Sequence, residues 1–187
     1  MQAIKTQIDR AEYLRLDAAS PVKHEFYRGE IFAMAGGTFS HAKISLNISS
    51  HLHALLRGNP CRPMNSDMRV ATPSGLDTYP DVSVYCHEPE LADNDCTLLN
   101  PVLIVEVLSP GTRSYDRGDK FMLYRSMPSL RDYLLVESES VFVEHYQRIG
   151  PHEWHLHEYQ QSSDVLDLAS IGQTLEIARF YDGLGLS

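Results

Sequence analysis

Long apolar runs are absent from this sequence, and with them any stretch near the ~18 consecutive apolar residues that a membrane-spanning helix requires. The N-terminal segment MQAIKTQIDRAEYLRLD is charged where a secretory signal would carry its apolar core. Membrane insertion and export are therefore not expected, and the cytoplasm is the expected location. Cysteine is also scarce. Cys61, Cys86 and Cys96 are odd in number and widely spaced, with no C-x-x-C pair, which argues against a zinc site and against a disulfide scaffold. All three are expected to be reduced and mostly buried. Positive charge is short too: 16 Lys and Arg face 25 Asp and Glu, a net charge of −9. That balance slows encounter with polyanions and weakens non-specific binding to them. It still allows a local basic groove around Lys43, Arg57, Arg62, Arg69, Arg113, Arg117 and Lys120. Internal repeats and low-complexity linkers are missing as well, so the 187 residues are read as one domain, 1–187.

What is present is a regular alternation of elements. A short helix is expected over 7–19, ended by Pro21. HEFYRGEIFAMA reads as a hairpin turning at Arg28-Gly29, and Gly36-Gly37 breaks its second strand. Ile44, Ile48, Leu52 and Leu55 recur at helical spacing between His41 and Arg57, with Ser40 as the expected N-cap and Gly58 just past the end. SDMRVAT alternates like a strand, TPSGLDT reads as a loop, and YPDVSVY as another strand. Residues 87–100 are polar and loop-like. PVLIVEVLS is the most apolar segment, β-branched and too short for a buried helix, which suits a central strand covered on both faces. A helix is expected from about 114–116 to Met127, stopped by Pro128. RDYLLVES, SVFVEHYQ and EWHLHEYQ follow as an antiparallel meander, and TLEIARF supplies one more strand. This order makes an α/β or α+β sandwich.

Within this frame, Glu106 is the most informative residue. It lies in VLIVEVL and shares a strand face with Val102, Ile104 and Leu108. Burying an ionised carboxylate there costs roughly several kcal/mol unless it is paired or bound to a cation. A structural salt bridge to Arg69 or Arg125 would satisfy it; so would a metal ion. Asp81 starts the YPDVSVY strand after Pro80 and shares a face with Ser83 and Tyr85. If that strand lies beside VLIVEVL, the two carboxylates meet at one end of the pair, where hard oxygen ligands favour Mg²⁺ or Mn²⁺. A turn role would account for Asp81 equally well. In the following helix Asp116, Lys120 and Tyr124 share one face. Lys120 then either pairs with Asp116, for about 0.3 kcal/mol, or reaches back across the SPGT loop to the carboxylates.

YPDVSVY, LIVEVLSPGT and DRGDKFMLY together resemble the signature of the Uma2 family, endonuclease domains of the PD-(D/E)XK superfamily. HEFYRGEIFAM, His41 and the strand YLLVE, which ends in Glu137 where the family usually has Asp, extend the resemblance over roughly residues 12–180. It implies a restriction-endonuclease-like core, a mixed central β-sheet flanked by helices. It also implies a Mg²⁺- or Mn²⁺-dependent endonuclease acting on DNA, with Asp81 and Glu106 as metal ligands and Lys120 as the catalytic lysine. The superfamily lysine expected two residues after Glu106 is replaced by Leu108, and Lys120 takes its place, as in the family. Glu25 would hold a metal-associated water, and His41 would contact phosphate or support Glu25. A homodimer follows by analogy, because paired cuts in a duplex need two sites. A catalytically weak binding module on the same fold, or a hydrolase of small phosphodiesters, would accord better with the negative charge.

Other candidates read as structural. His51 and His53 point apart on a helix. His155 and His157 lie on a strand whose Trp154 and Leu156 are expected to face the core, so surface histidines are favoured. Ser109 lacks the G-x-S-x-G context of a nucleophile and is expected to serve the turn.

Overall fold

The computed structural model describes residues 4, 7–34 and 36–186, so that Ala35, at the end of the expected hairpin segment, lies outside the described residues. Helix α1 (Arg10–Ala19) starts at Asp9, whose side chain accepts a hydrogen bond from the Glu12 amide. Strands β1 (His24–Tyr27) and β2 (Glu30–Ala33) form the expected hairpin. Arg28 and Gly29 have φ of 50° and 85°, the left-handed pair that a tight two-residue turn demands. Helix α2 (Phe39–Leu55) is capped by Thr38, not Ser40. The Thr38 hydroxyl accepts from the His41 amide, which places His41 in the first turn.

Strand β3 (Cys61–Asn65) was not expected: Pro63 and its polar neighbours hide it, and it survives because it is an edge strand needing few amide donors. The SDMRVAT segment is a turn followed only by β4 (Arg69–Ala71), and the expected TPSGLDT loop contains β5 (Leu76–Thr78). Strand β6 (Val82–Cys86) is the YPDVSVY strand. The expected loop 87–100 carries two-residue strands β7 (Leu91–Ala92) and β8 (Thr97–Leu98).

Strand β9 (Leu103–Leu108) is buried along its whole length. The next helix runs continuously as α3 (Arg113–Tyr115), a π-helical turn (Asp116–Lys120) and α4 (Phe121–Tyr124). It returns the chain to β10 (Asp132–Glu137), which pairs parallel with β9, so the segment is a β-α-β crossover. Strands β11 (Val143–Arg148) and β12 (Trp154–Tyr159) complete the antiparallel meander. A separate hairpin, β13 (Val165–Leu168) with β14 (Gln173–Glu176), closes the chain; β13 was not foreseen.

The architecture is a mixed α+β one. The main sheet has the order β12-β11-β10-β9-β6-β3, and a second has the order β2-β1-β5-β4-β8-β7. One apolar cluster packs α2 and the β13–β14 hairpin on the main sheet through Ile44, Ile48, Leu52, Val105 and Val107. The other, on the opposite face, joins Ile104, Leu108, Tyr133 and Leu135 to α4 and to Val70, Leu76 and Leu98 of the second sheet. Because side chains alternate along a strand, Glu106 falls on this second face with Ile104 and Leu108. Among the described residues, no helix is long and apolar enough to cross a membrane.

The cysteine expectation is corrected. Cys61 and Cys86 stand directly opposite in the β3–β6 register and are joined as a disulfide, while Cys96 is exposed and free. Protein purified under oxidising conditions and then denatured titrates one thiol per chain; three thiols would exclude the bridge. Leu156 is likewise not in the core but 47% exposed, because it lies on edge strand β12; Trp154 does pack inward, edge-on to Phe121.

Candidate functional site

Glu106 is only 5% exposed in the middle of the main sheet. Neither arginine considered for it is its partner. Arg69 pairs with Asp17, Asp77 and Asp93, and Arg125 lies over the Phe121 ring. Instead the Lys120 ammonium stands 3.0 Å from Glu106 Oε1, and the Tyr124 hydroxyl donates to the same oxygen at 2.7 Å. Lys120 also lies 2.8 Å from Glu25 Oε1 but 3.6 Å from Asp116 Oδ1. The long reach therefore wins over the local i, i+4 pair, and the π-helical turn is where it is launched. Such turns widen a helix by one residue and occur often at functional sites.

Glu25 arrives from the other sheet. Alternation along β1 turns His24 and Phe26 toward α1 and leaves Glu25 facing the main sheet, where the Thr78 hydroxyl donates to its Oε1. Its second oxygen, Oε2, is buried without a hydrogen-bond partner. Glu25, Glu106 and Asp116 thus converge on one ammonium, and all four residues are 5% exposed or less.

Asp81 reaches the site through strand register. Val82 faces Val105 in the antiparallel β6–β9 pair, so one residue further Asp81 stands opposite Glu106, with the two side chains on the same face. The Val107 amide donates to Asp81 Oδ2 at 2.8 Å, which fixes the carboxyl over the end of β9. His41 from the first turn of α2 lies 3.3 Å from the same oxygen, so its partner is Asp81. Asp81 and His41 are half-buried and form the open rim of an otherwise closed site.

The electrostatics follow from this crowding. Burial pushes the Glu106 carboxyl up to about 8, because the opposing effect of Lys120 and the Tyr124 hydrogen bond does not cancel it and Asp116 and Asp81 add to it. Burial likewise raises Asp116, against the pull of Lys120. For Lys120, burial acts downward, but the charges of Glu106 and Glu25 hold it well above the ordinary lysine range. For His41, burial also acts downward, yet the hydrogen bond and charge of Asp81 raise it overall. The site is a carboxyl-rich chamber in which Lys120 is the cation shared by Glu25, Glu106 and Asp116.

Asp81, Glu106, Lys120 and Glu25 are therefore brought together, and His41 joins them through Asp81. Tyr124, Thr78 and Asp116 complete the set; only the four-residue spacing of Asp116, Lys120 and Tyr124 hinted at two of them. Glu137 is elsewhere, bound by Arg113 and Arg117, so it does not join Glu25, Asp81, Glu106 and Asp116 in the site. The basic groove that the charge balance allowed is not built from Arg69, Arg113 and Arg117. Arg69 is spent on buried aspartates, and Arg113 and Arg117 on Glu137, Glu139 and Glu144. Ser109 bonds Thr112 within its turn, as expected. Two histidines are not on the surface: His24 pairs with Asp17 and His145 with Asp132, each buried. Among the described residues, no three His, Cys, Asp or Glu side chains form a ready ligand cluster.

Comparison with known proteins agrees with this architecture. A crystal structure from Anabaena variabilis, described as that of "a putative nuclease belonging to DUF820", superposes with a TM-score of 0.76 over 94% of this chain and 98% of its own, at 17% identity. At that identity the match speaks for the fold. Two Synechocystis proteins, both described as uncharacterized, are 41% and 38% identical over 174 and 150 residues. These alignments cover 92% and 79% of this chain, and 90% and 85% of the relatives. The family profile Uma2, described as "Putative restriction endonuclease", matches residues 10–179. The chain belongs to the Uma2 family.

Proposed function

We propose that this protein is a divalent-cation-dependent endonuclease that hydrolyses phosphodiester bonds in DNA, with Asp81 and Glu106 as cation ligands. One observation carries the reading: Glu106, inside an apolar strand, meets Lys120, which it shares with Glu25, and stands across from Asp81 in the strand register. The residues suit a small hard cation such as Mg²⁺ or Mn²⁺. Their donors are carboxylate oxygens, Glu25 leaves one buried oxygen unpartnered, and a cation would relieve the burial that keeps Glu106 protonated up to about 8. Such a cation would polarise a phosphoryl oxygen and acidify a neighbouring water.

The chain's own groups do the rest. Tyr124 fixes the Glu106 carboxyl by donating to Oε1. The Lys120 ammonium donates to the phosphoryl oxygen on which charge develops. Glu25, through Oε2, accepts a hydrogen bond from the attacking water and orients it. His41, at the open rim and paired with Asp81, contacts the incoming phosphate. Action in the cytoplasm as a homodimer belongs to the same proposal. In a reducing cytoplasm the Cys61–Cys86 bridge would open. The site does not depend on it, since Cys86 lies at the far end of β6 from Asp81.

Plasmid nicking that requires Mg²⁺ or Mn²⁺ tests the activity. Calorimetric titration with Mn²⁺ tests the site: one binding event per chain is expected, lost in Asp81→Ala. A second reading, a binding module without catalysis, rests on the net charge of −9 and on Lys120 already neutralising the chamber. Absence of both Mn²⁺ binding and nicking would favour it.

A further inference from the structure

A nuclease of net charge −9 has to hold a polyanion somewhere, and the catalytic chamber exposes little positive charge. The other end of the same helix is different. Beyond α4, a groove of about 800 Å³ is walled by Arg125, Arg131, Arg148, His152 and Trp154. Among the described residues none of these three arginines makes an ion pair with a carboxylate, whereas Arg10, Arg15, Arg69, Arg113, Arg117 and Arg179 do; Arg28, Arg57 and Arg62 are also without one, but they do not line this groove. Arg148 is lowered below the ordinary arginine value by burial and by the charges of Arg131 and Arg125, which places the three within electrostatic reach of one another. Unpaired like charges cost stability, and a fold carrying surplus acid could have neutralised them.

Arg148 itself is structural. It donates to the carbonyls of Arg125, Met127 and Pro151 and stacks on Trp154 at 4.6 Å, leaving only Nε buried without a partner. Arg125 and Arg131 are exposed and available. Met122 and Ile149, each 51% exposed, add apolar shelves to the same groove. Exposed guanidinium groups beside an indole and apolar shelves suit a chain with phosphates along one side and unstacked bases along the other. A duplex would hide its bases from such shelves, and an acidic peptide would leave them unused.

We propose that this groove binds the phosphodiester backbone of a single nucleic-acid strand, apart from the catalytic chamber. The choice of a nucleic acid rests on the nuclease reading above. Arg125 lies five residues beyond Lys120, about 7.5 Å along the helix axis, so a strand in the groove ends close to the catalytic helix face.

Trp154 is the only tryptophan, so its fluorescence reports directly on the groove. In EDTA, where cleavage is off, titration with a dT oligonucleotide should change Trp154 emission saturably. Affinity should fall at least tenfold in Arg125→Glu/Arg131→Glu and severalfold in Arg131→Glu alone, whose exposed side chain is not needed for folding. Inorganic phosphate or polyglutamate matching the oligonucleotide would overturn the strand assignment. So would an unchanged Trp154 signal, or equal affinity in the charge-reversed variants. Binding in EDTA without cleavage in Mg²⁺ would sink the nuclease reading and keep the groove; cleavage without groove binding would do the reverse.

Discussion

Glu106→Gln should abolish cation-dependent cleavage, lowering the rate by at least about 10³-fold, equivalent to about 4 kcal/mol of lost transition-state stabilisation. The substitution is nearly isosteric and keeps an oxygen for the Tyr124 hydroxyl, so the sheet and the chamber persist. Only the charge is removed. A pH signature accompanies the loss. In the cation-free wild type, Glu106 holds its proton up to about 8, far above the ordinary carboxyl value of 4.5. Across that window the native state carries a proton that the unfolded chain has released. Stability from this group is therefore full below about 4.5 and is lost as pH rises to about 8, at a limiting slope of about 1.4 kcal/mol per pH unit. Thermal melts in EDTA should show this decline in the wild type and a flatter profile in Glu106→Gln. Cleavage by the variant at the wild-type rate would remove Glu106 from the mechanism.

Lys120→Met should be the most destabilising single change at the site. Lys120 is the cation shared by Glu25, Glu106 and Asp116, and all four groups are withdrawn from water. Removing one member of a buried charge cluster typically costs about 3–5 kcal/mol, because the remaining charges lose their compensation. For a chain of this size that is a fall of roughly 10 °C in melting temperature. The penalty falls on the carboxylates that stay charged, so it should shrink at acid pH, as Asp116, raised by burial, takes up its proton; Glu106 already carries its own up to about 8. Millimolar Mn²⁺ should recover part of it at neutral pH by supplying another cation. A variant that melts with the wild type at every pH would show that Lys120 is not the chamber's neutralising charge.

Much of this site can be read one strand at a time. A carboxylate in VLIVEVL contradicts its own neighbourhood, and the contradiction is local, so Glu106 stands out without any tertiary information. The helical spacing of Asp116, Lys120 and Tyr124 is equally local. Their division of labour is not: whether Lys120 pairs with Asp116 or crosses to Glu106 depends on a π-helical turn that no short motif announces. Thr78 escaped notice because it sits on a three-residue strand inside a segment whose Pro and Gly read as loop. The disulfide escaped because β3, with Pro63, does not look like a strand, and without β3 nothing sets Cys61 opposite Cys86.

By itself the sequence determined the element types of the β9-helix-β10 unit and the meander, because hydrophobic period and turn residues act over a few positions. It also determined that Glu106 needs a positive partner, since the cost of burying a charge follows from its immediate neighbours. Tertiary structure decided which partner that is, that Asp81 stands across from Glu106, that His41 pairs with Asp81, and that, among the described residues, Arg125, Arg131 and Arg148 make no ion pair with a carboxylate. Those outcomes depend on strand register and on side chains reaching between two sheets, over distances that no local pattern encodes.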